Sequence, residues 1–225
     1  YIPKNKRVVL TGYPVRHQLR EWTRESGKTA LNLRHDQPVL LVFGGSKGAH
    51  SINQAVMANL PQLLELAQVI HLSGQLDWEE VQAVSKTLPA HLTDRYHPYP
   101  YLHEKMGAAM ASADLVVSRA GASSLGEFPF FGLPAVLVPY PYAWRYQKVN
   151  ADYLEQRGAA VVLEDQRLQE RLLPSVNDLF TNQEKLSAMR RAMQSLSCPH
   201  AARDIANLLR ELAVQAARKG KRATW

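Results

Sequence analysis

Residues 119–127 read Arg119-Ala120-Gly121-Ala122-Ser123-Ser124-Leu125-Gly126-Glu127. The run follows a short apolar stretch, Ala113 to Val117, with the character of a buried strand. It leads into Phe128 to Gly132, which continues as a helix. Small residues and hydroxyls at a strand-to-helix turn leave backbone N–H groups bare at the positive end of a helix, an arrangement suited to an anionic phosphate. Glu127 falls about one helical turn further in, where a carboxylate can accept hydrogen bonds from two vicinal sugar hydroxyls. A turn for diphosphate and a carboxylate for ribose together describe a nucleotide-sugar site.

Outward from this run the same pattern repeats. Apolar runs predict strands at Val39 to Phe43, Gln68 to Leu72, Arg95 to Tyr99 (weakened by Pro98), Asp114 to Ser118, Ala135 to Val138 and Ala160 to Leu163. Amphipathic stretches between them predict helices at Ala49 to Asn59, Trp78 to Leu88, Glu104 to Ala111, Ser123 to Phe131 and Gln147 to Gln156. Three more helices are expected at Gln166 to Phe180, Gln183 to Leu196 and His200 to Ala217. Strands without internal polar alternation, each separated by a helix, argue for a parallel sheet covered on both faces. Right-handed crossovers make that a Rossmann-like, doubly wound α/β domain, which binds ligands beyond the carboxyl ends of its strands. The glycine- and hydroxyl-rich turns fall at those ends.

Gly44-Gly45-Ser46-Lys47-Gly48-Ala49 follows the first of these strands and opens a helix, as a phosphate-approaching turn does. It lacks the spacing of a P-loop. The second strand ends His71-Leu72-Ser73-Gly74 without a ribose-binding acid, which disfavours an NAD-dependent oxidoreductase. The segment Pro139-Tyr140-Pro141-Tyr142-Ala143-Trp144-Arg145-Tyr146-Gln147-Lys148-Val149-Asn150 combines rings with amides, the chemistry of sugar recognition. Arg16, in Gly12-Tyr13-Pro14-Val15-Arg16, has the chemistry to stack on a base or approach a phosphate. Each segment also has a plain reading: a tight turn that binds nothing, a helix start capped by Ser123, a proline-bounded loop covering the sheet end, a surface arginine. Asp114 reads as a turn residue, and the eight histidines form no metal-ligand pair.

The 225 residues are 46% apolar, enough for one large domain or slightly more. No apolar run approaches the ~18–20 residues of a membrane span. A single cysteine, Cys198, rules out an intrachain disulfide framework. The first residue is Tyr1, and residues 1–7 read as the middle of a longer protein. The expected organisation is an N-terminal linker over 1–36 that carries the Gly12–Arg16 turn, a domain over 37–217, and a basic tail over 218–225. The net charge of +7 gathers at Lys4, Lys6 and Arg7 and at Arg218, Lys219, Lys221 and Arg222. These ends read as solvated tails or as an attraction to anionic lipid or a polyanionic substrate. No nucleic-acid signature is present.

Taken together, Gly12 to Arg16, Phe43 to Ala49, Arg119 to Glu127 and Gln147 to Ala151 resemble the C-terminal domain of the peptidoglycan N-acetylglucosaminyltransferases of glycosyltransferase family 28. The resemblance runs from about Val8 to Leu212. It implies the C-terminal half of a GT-B fold, the half that holds UDP-N-acetylglucosamine (UDP-GlcNAc). By that resemblance Arg16 lies against the nucleotide, Ser46 contacts the diphosphate or nearby sugar, and Leu102 offers its backbone to uracil. Ala122, Ser123 and Ser124 meet the phosphates, Glu127 the ribose, and Gln147 and Asn150 the GlcNAc hydroxyls. It further implies inverting transfer to lipid-linked MurNAc-pentapeptide, with no metal or cofactor. The setting is cytoplasmic, peripheral on the inner face of the cell membrane. The acceptor domain, with the general base, belongs to an N-terminal half outside this sequence. The sequence departs from the family at Tyr146, where some members carry His or Gln, and at Tyr13, where asparagine is common. Another UDP-sugar transferase of the family acting on a glycolipid, or a non-catalytic nucleotide-sugar-binding subunit, fits the same residues.

Overall fold

The computed structural model describes residues 8–45, 48–142 and 146–222. In chain order these form α1 (Arg24–Ala30), β1 (Val39–Phe43), α2 (His50–Ala58), α3 (Leu60–Leu66), β2 (Gln68–Leu72), α4 (Trp78–Ser85), β3 (Tyr96–Tyr99), α5 (Met106–Ser112) and β4 (Leu115–Ser118). There follow α6 (Ser124–Phe131), β5 (Ala135–Leu137), α7 (Tyr146–Glu155), β6 (Ala160–Val162), α8 (Leu168–Thr181), α9 (Gln183–Ser195) and α10 (Ala201–Arg222).

The strands form one parallel sheet in the order β3-β2-β1-β4-β5-β6. Both faces of β1 are buried. Leu40 and Val42 pack under α2, α3 and α8, whereas Val39 and Leu41 pack under α5, α6 and α7. A strand buried on two sides gains from apolar residues at every position, which is why the expected strands appear as unbroken runs. The chain reverses direction across the sheet between β1 and β4. Their carboxyl ends therefore diverge into a crevice at that point. Both the glycine turn after β1 and the 119–127 turn after β4 open there.

Residues 17–36, expected as part of a linker, pack on the domain instead. Thr23 and Ser26 cap the start of α1 reciprocally. Lys28 is buried, and its ammonium donates to the carbonyls of Arg34, His35 and Gln37 at 3.3, 3.1 and 2.7 Å. Burial is the first cause holding its pKa below the usual lysine value. The polar look of 29–36 thus conceals a loop wound around one buried cation, with Leu31 and Leu33 in the core. Asp114 behaves as a structural residue: Oδ2 accepts from the Val39 N–H at 2.9 Å and from Arg24 at 2.8 Å.

Among the described residues no helix is long and apolar enough to cross a membrane.

Candidate functional site

Two hollows flank the glycine turn at the crevice. The first is a cleft of about 300 Å³, with Gly45 on one side, Ser123 and Glu127 at the start of α6 opposite, and Tyr13, Arg16 and Tyr101 along its wall. The second is a groove of about 580 Å³ on the far side of the turn, lined by Gly44, Gly48, Arg119, Tyr140, Gln147 and Asp165 among others. The turn is the ridge between them. Its backbone comes close to the β2–α4 connection, since a Cβ at Gly48, where φ is +80°, would meet the Ser73 carbonyl at 2.2 Å. Only glycine satisfies both conditions.

Of the residues singled out in the sequence, Arg16, Ser123 and Glu127 share the cleft. The Arg16 guanidinium lies 3.5 Å from Glu127 Oε1, the arginine 62% exposed and the carboxylate 10%. Burial pushes the Glu127 carboxyl above the usual glutamate range, and the Arg16 charge and the Ser123 hydroxyl oppose that shift. Leu102 is buried in the core just beyond Pro100 and Tyr101, so only its backbone can serve a ligand.

Neither α2 nor α6 has a side-chain cap at its start. Ser123 therefore does not cap its helix as the plain reading expected. Ser124 is buried, its hydroxyl 2.5 Å from the Gly121 carbonyl, to which its N–H also donates. Both of its donors are spent inside the turn. Among the described residues the Ala122 and Ser123 N–H groups have no backbone or side-chain acceptor, so these two remain for an anion.

Gln147 stands at the groove. Its Oε1 accepts from the Tyr140 N–H at 2.9 Å. Asn150 is turned back, its Nδ2 donating to the Ala120 carbonyl at 3.0 Å, where it braces the 119–123 turn. Ser46 lies outside the described residues.

Sequence reasoning missed two polar clusters. In the first, Arg119 binds Asp165 and Ser51. In the second, His50 Nδ1 lies 2.8 Å from Asp77, which also accepts from Asn53. Arg119 and Asp165 stand 46 positions apart, and only the strand order brings them together. Among the described residues no three His, Cys, Asp or Glu side chains gather as a metal would require.

Residues 39–209 match the model of the glycosyltransferase family 28 C-terminal domain. A UDP-N-acetylglucosamine–N-acetylmuramyl-(pentapeptide) pyrophosphoryl-undecaprenol N-acetylglucosamine transferase from Roseiflexus sp. (strain RS-1) is 42% identical over 93% of this chain and 52% of its own length. A protein of the same name from Desulforamulus reducens is 39% identical over 91% of this chain and 56% of its own length. The crystal structure of Acinetobacter baumannii MurG superposes with a TM-score of 0.71 at 28% identity, covering 88% of this chain and 57% of that one. The chain spans a little over half the length of the relatives it matches.

Proposed function

Because this chain belongs to glycosyltransferase family 28, whose C-terminal domain it contains, we propose that it binds the UDP-GlcNAc donor of an inverting transferase. That enzyme adds GlcNAc to lipid-linked MurNAc-pentapeptide in peptidoglycan synthesis. The observation that carries the reading is the buried Glu127 carboxylate at the start of α6, facing the glycine turn across the cleft and paired with Arg16. A carboxylate held there accepts from both ribose hydroxyls while uracil lies toward Tyr101 and the Leu102 backbone.

The diphosphate then falls between the glycine turn and the free N–H groups of Ala122 and Ser123. Negative charge builds on that diphosphate as the bond to the sugar breaks. Donors fixed in advance stabilise it without having to reorganise. Ser46 belongs to the same diphosphate contact in this reading. The sugar extends over the ridge toward Gln147, with Asn150 behind it. The acceptor and the general base belong to a separate N-terminal domain. The relatives are named for an acceptor carried on undecaprenol pyrophosphate, which supports work at the inner face of the cell membrane.

Calorimetry tests the reading. Glu127→Ala is expected to weaken UDP and UDP-GlcNAc alike by about tenfold or more, the scale of hydrogen bonds to a charged acceptor. Gln147→Ala is expected to weaken UDP-GlcNAc and to spare UDP. The raised Glu127 pKa sets the direction with pH. The ligand prefers the ionised carboxylate, so affinity falls as acidification protonates it, beginning at a higher pH than an ordinary glutamate would allow. Unchanged affinity in folded Glu127→Ala would remove the ribose assignment.

A further inference from the structure

Arg119, the residue after β4, keeps only 10% of its side chain exposed. Its Nη1 donates to the Val138 carbonyl at 3.1 Å, beyond the end of β5, and to the Asp165 carboxylate, which follows β6. Its Nη2 donates to the Ser51 hydroxyl at 2.7 Å in the first turn of α2, and that hydroxyl donates to Asp165 Oδ1 at 2.7 Å. One guanidinium thus ties the ends of β4, β5 and β6 to the helix that follows β1. A largely buried ion pair adds little stability over a well-packed apolar replacement. Packing alone therefore gives no reason for this cluster.

The face of the guanidinium supplies a reason. It lies 5.2 Å from the centroid of the Tyr140 ring, within cation–π range. The Tyr140 N–H donates to Gln147 Oε1. With its oxygen so engaged, the Gln147 amide has its Nε2 amino end left over, and among the described residues that end has no partner. Arg119, Tyr140, Gln147, Ser51 and Asp165 all line the 580 Å³ groove.

We propose that Arg119 is a positioning residue for the sugar end of the ligand: through the Tyr140 ring it holds the Gln147 amide with its N–H donors outward, so that the groove recognises a hydroxyl oxygen as an acceptor. The proposal rests on the donor-site reading above and adds to it a residue that touches no ligand. Lysine is not a substitute, because an ammonium has neither the planar face that lies on the ring nor the fork that spans three acceptors.

The test is calorimetry on the whole chain with UDP and UDP-GlcNAc, reading the ratio of the two affinities. In Arg119→Met and Arg119→Lys the UDP affinity is expected to stay within about twofold, while the UDP-GlcNAc to UDP ratio falls by about tenfold. Tyr140→Phe keeps the ring and is expected to keep the ratio; Tyr140→Ala is expected to reproduce the loss. Tyr140 is 47% exposed and outside the buried ring of hydrogen bonds, so its variants decide the matter if the Arg119 variants do not fold. A ratio unchanged in Tyr140→Ala, or UDP and UDP-GlcNAc weakened equally, overturns the proposal and leaves the donor site standing. Failure of the unaltered chain to bind either ligand overturns both.

Discussion

His71 shows how a single side chain records its surroundings. It is fully buried on β2 between Tyr96 and Asn53. The Asn53 amino group donates to the Ser73 carbonyl at 2.8 Å and to Asp77 at 2.6 Å. Its Oδ1 must therefore accept from His71 Nε2–H, and His71 Nδ1 accepts from the Tyr96 hydroxyl. A second ring proton, on Nδ1, would require the Tyr96 hydroxyl to give up this bond and turn its own proton elsewhere. Burial accordingly lowers the His71 pKa to about 4, against an opposing pull from Asp77. The unfolded chain takes up the proton near its ordinary value of 6.5. Stability that is whole above that pH therefore drains away as the pH falls toward 4, by about 3 kcal/mol in all. In urea denaturation followed by tryptophan fluorescence, His71→Gln is expected to lose much less between pH 7.5 and 4.5 than the unaltered chain. Equal losses would show that the imidazole is not the titrating group. None of this was legible in the sequence, where His71 was one of eight histidines that form no metal-ligand pair. Arg16 and Glu127 were each legible as candidates because each sits in a short motif whose chemistry is local, but their pairing was not. The Arg119 cluster was not, because its partners come from three separate crossovers.

At the scale of elements, the strands were readable because a doubly covered sheet writes itself as apolar runs. The two missed helices were hidden for different reasons. Expected helix ended at Asn59, but the chain re-enters α3 at Leu60 with Pro61 in the first turn. Proline is favoured there, because the N–H it lacks would have no partner in any case. A break signal was in fact a start signal. α1 was hidden by its polar composition, since Glu25, Ser26 and Thr29 face solvent while the charge of Lys28 turns inward. The Gly12–Arg16 segment depends on a contact between elements that no single motif reveals. A Cβ at Gly126 of α6 would stand 2.8 Å from the Tyr13 ring and 2.9 Å from the Tyr13 carbonyl. The bare glycine thus lets this segment lie close enough for Arg16 to reach Glu127. Because a backbone atom is in the way, Gly126→Ala is expected to displace the segment, at about 1–3 kcal/mol in thermal or chemical denaturation. UDP affinity should fall with it although neither Arg16 nor Glu127 has changed. A destabilised variant of undiminished affinity would separate the segment from the site.

The whole molecule presents its chemistry on one rim. The order β3-β2-β1-β4-β5-β6 puts the switch point between β1 and β4, and both hollows open there, beside a ridge of backbone. In the donor-site reading proposed above, what gathers on that rim serves one end of a transfer reaction: donors for a departing diphosphate, a carboxylate for its ribose, an amide for its sugar. From Leu209 to Ala217 the helix α10 is exposed, with Leu212 and Val214 among its uncovered residues, and the chain spans only a little over half the length of its relatives. Transfer to a second sugar also requires that the acceptor be oriented and water kept from the anomeric carbon, which an open rim does not provide. The expected result for the chain by itself is binding without turnover. UDP-GlcNAc should give a saturable calorimetric signal, and incubation with the lipid-linked MurNAc acceptor should release no UDP above the rate without protein. Release of UDP that depends on the acceptor would put acceptor recognition in this chain. The first residues to substitute would then be His50 and Asp77, whose 2.8 Å pair stands at the wall of the groove.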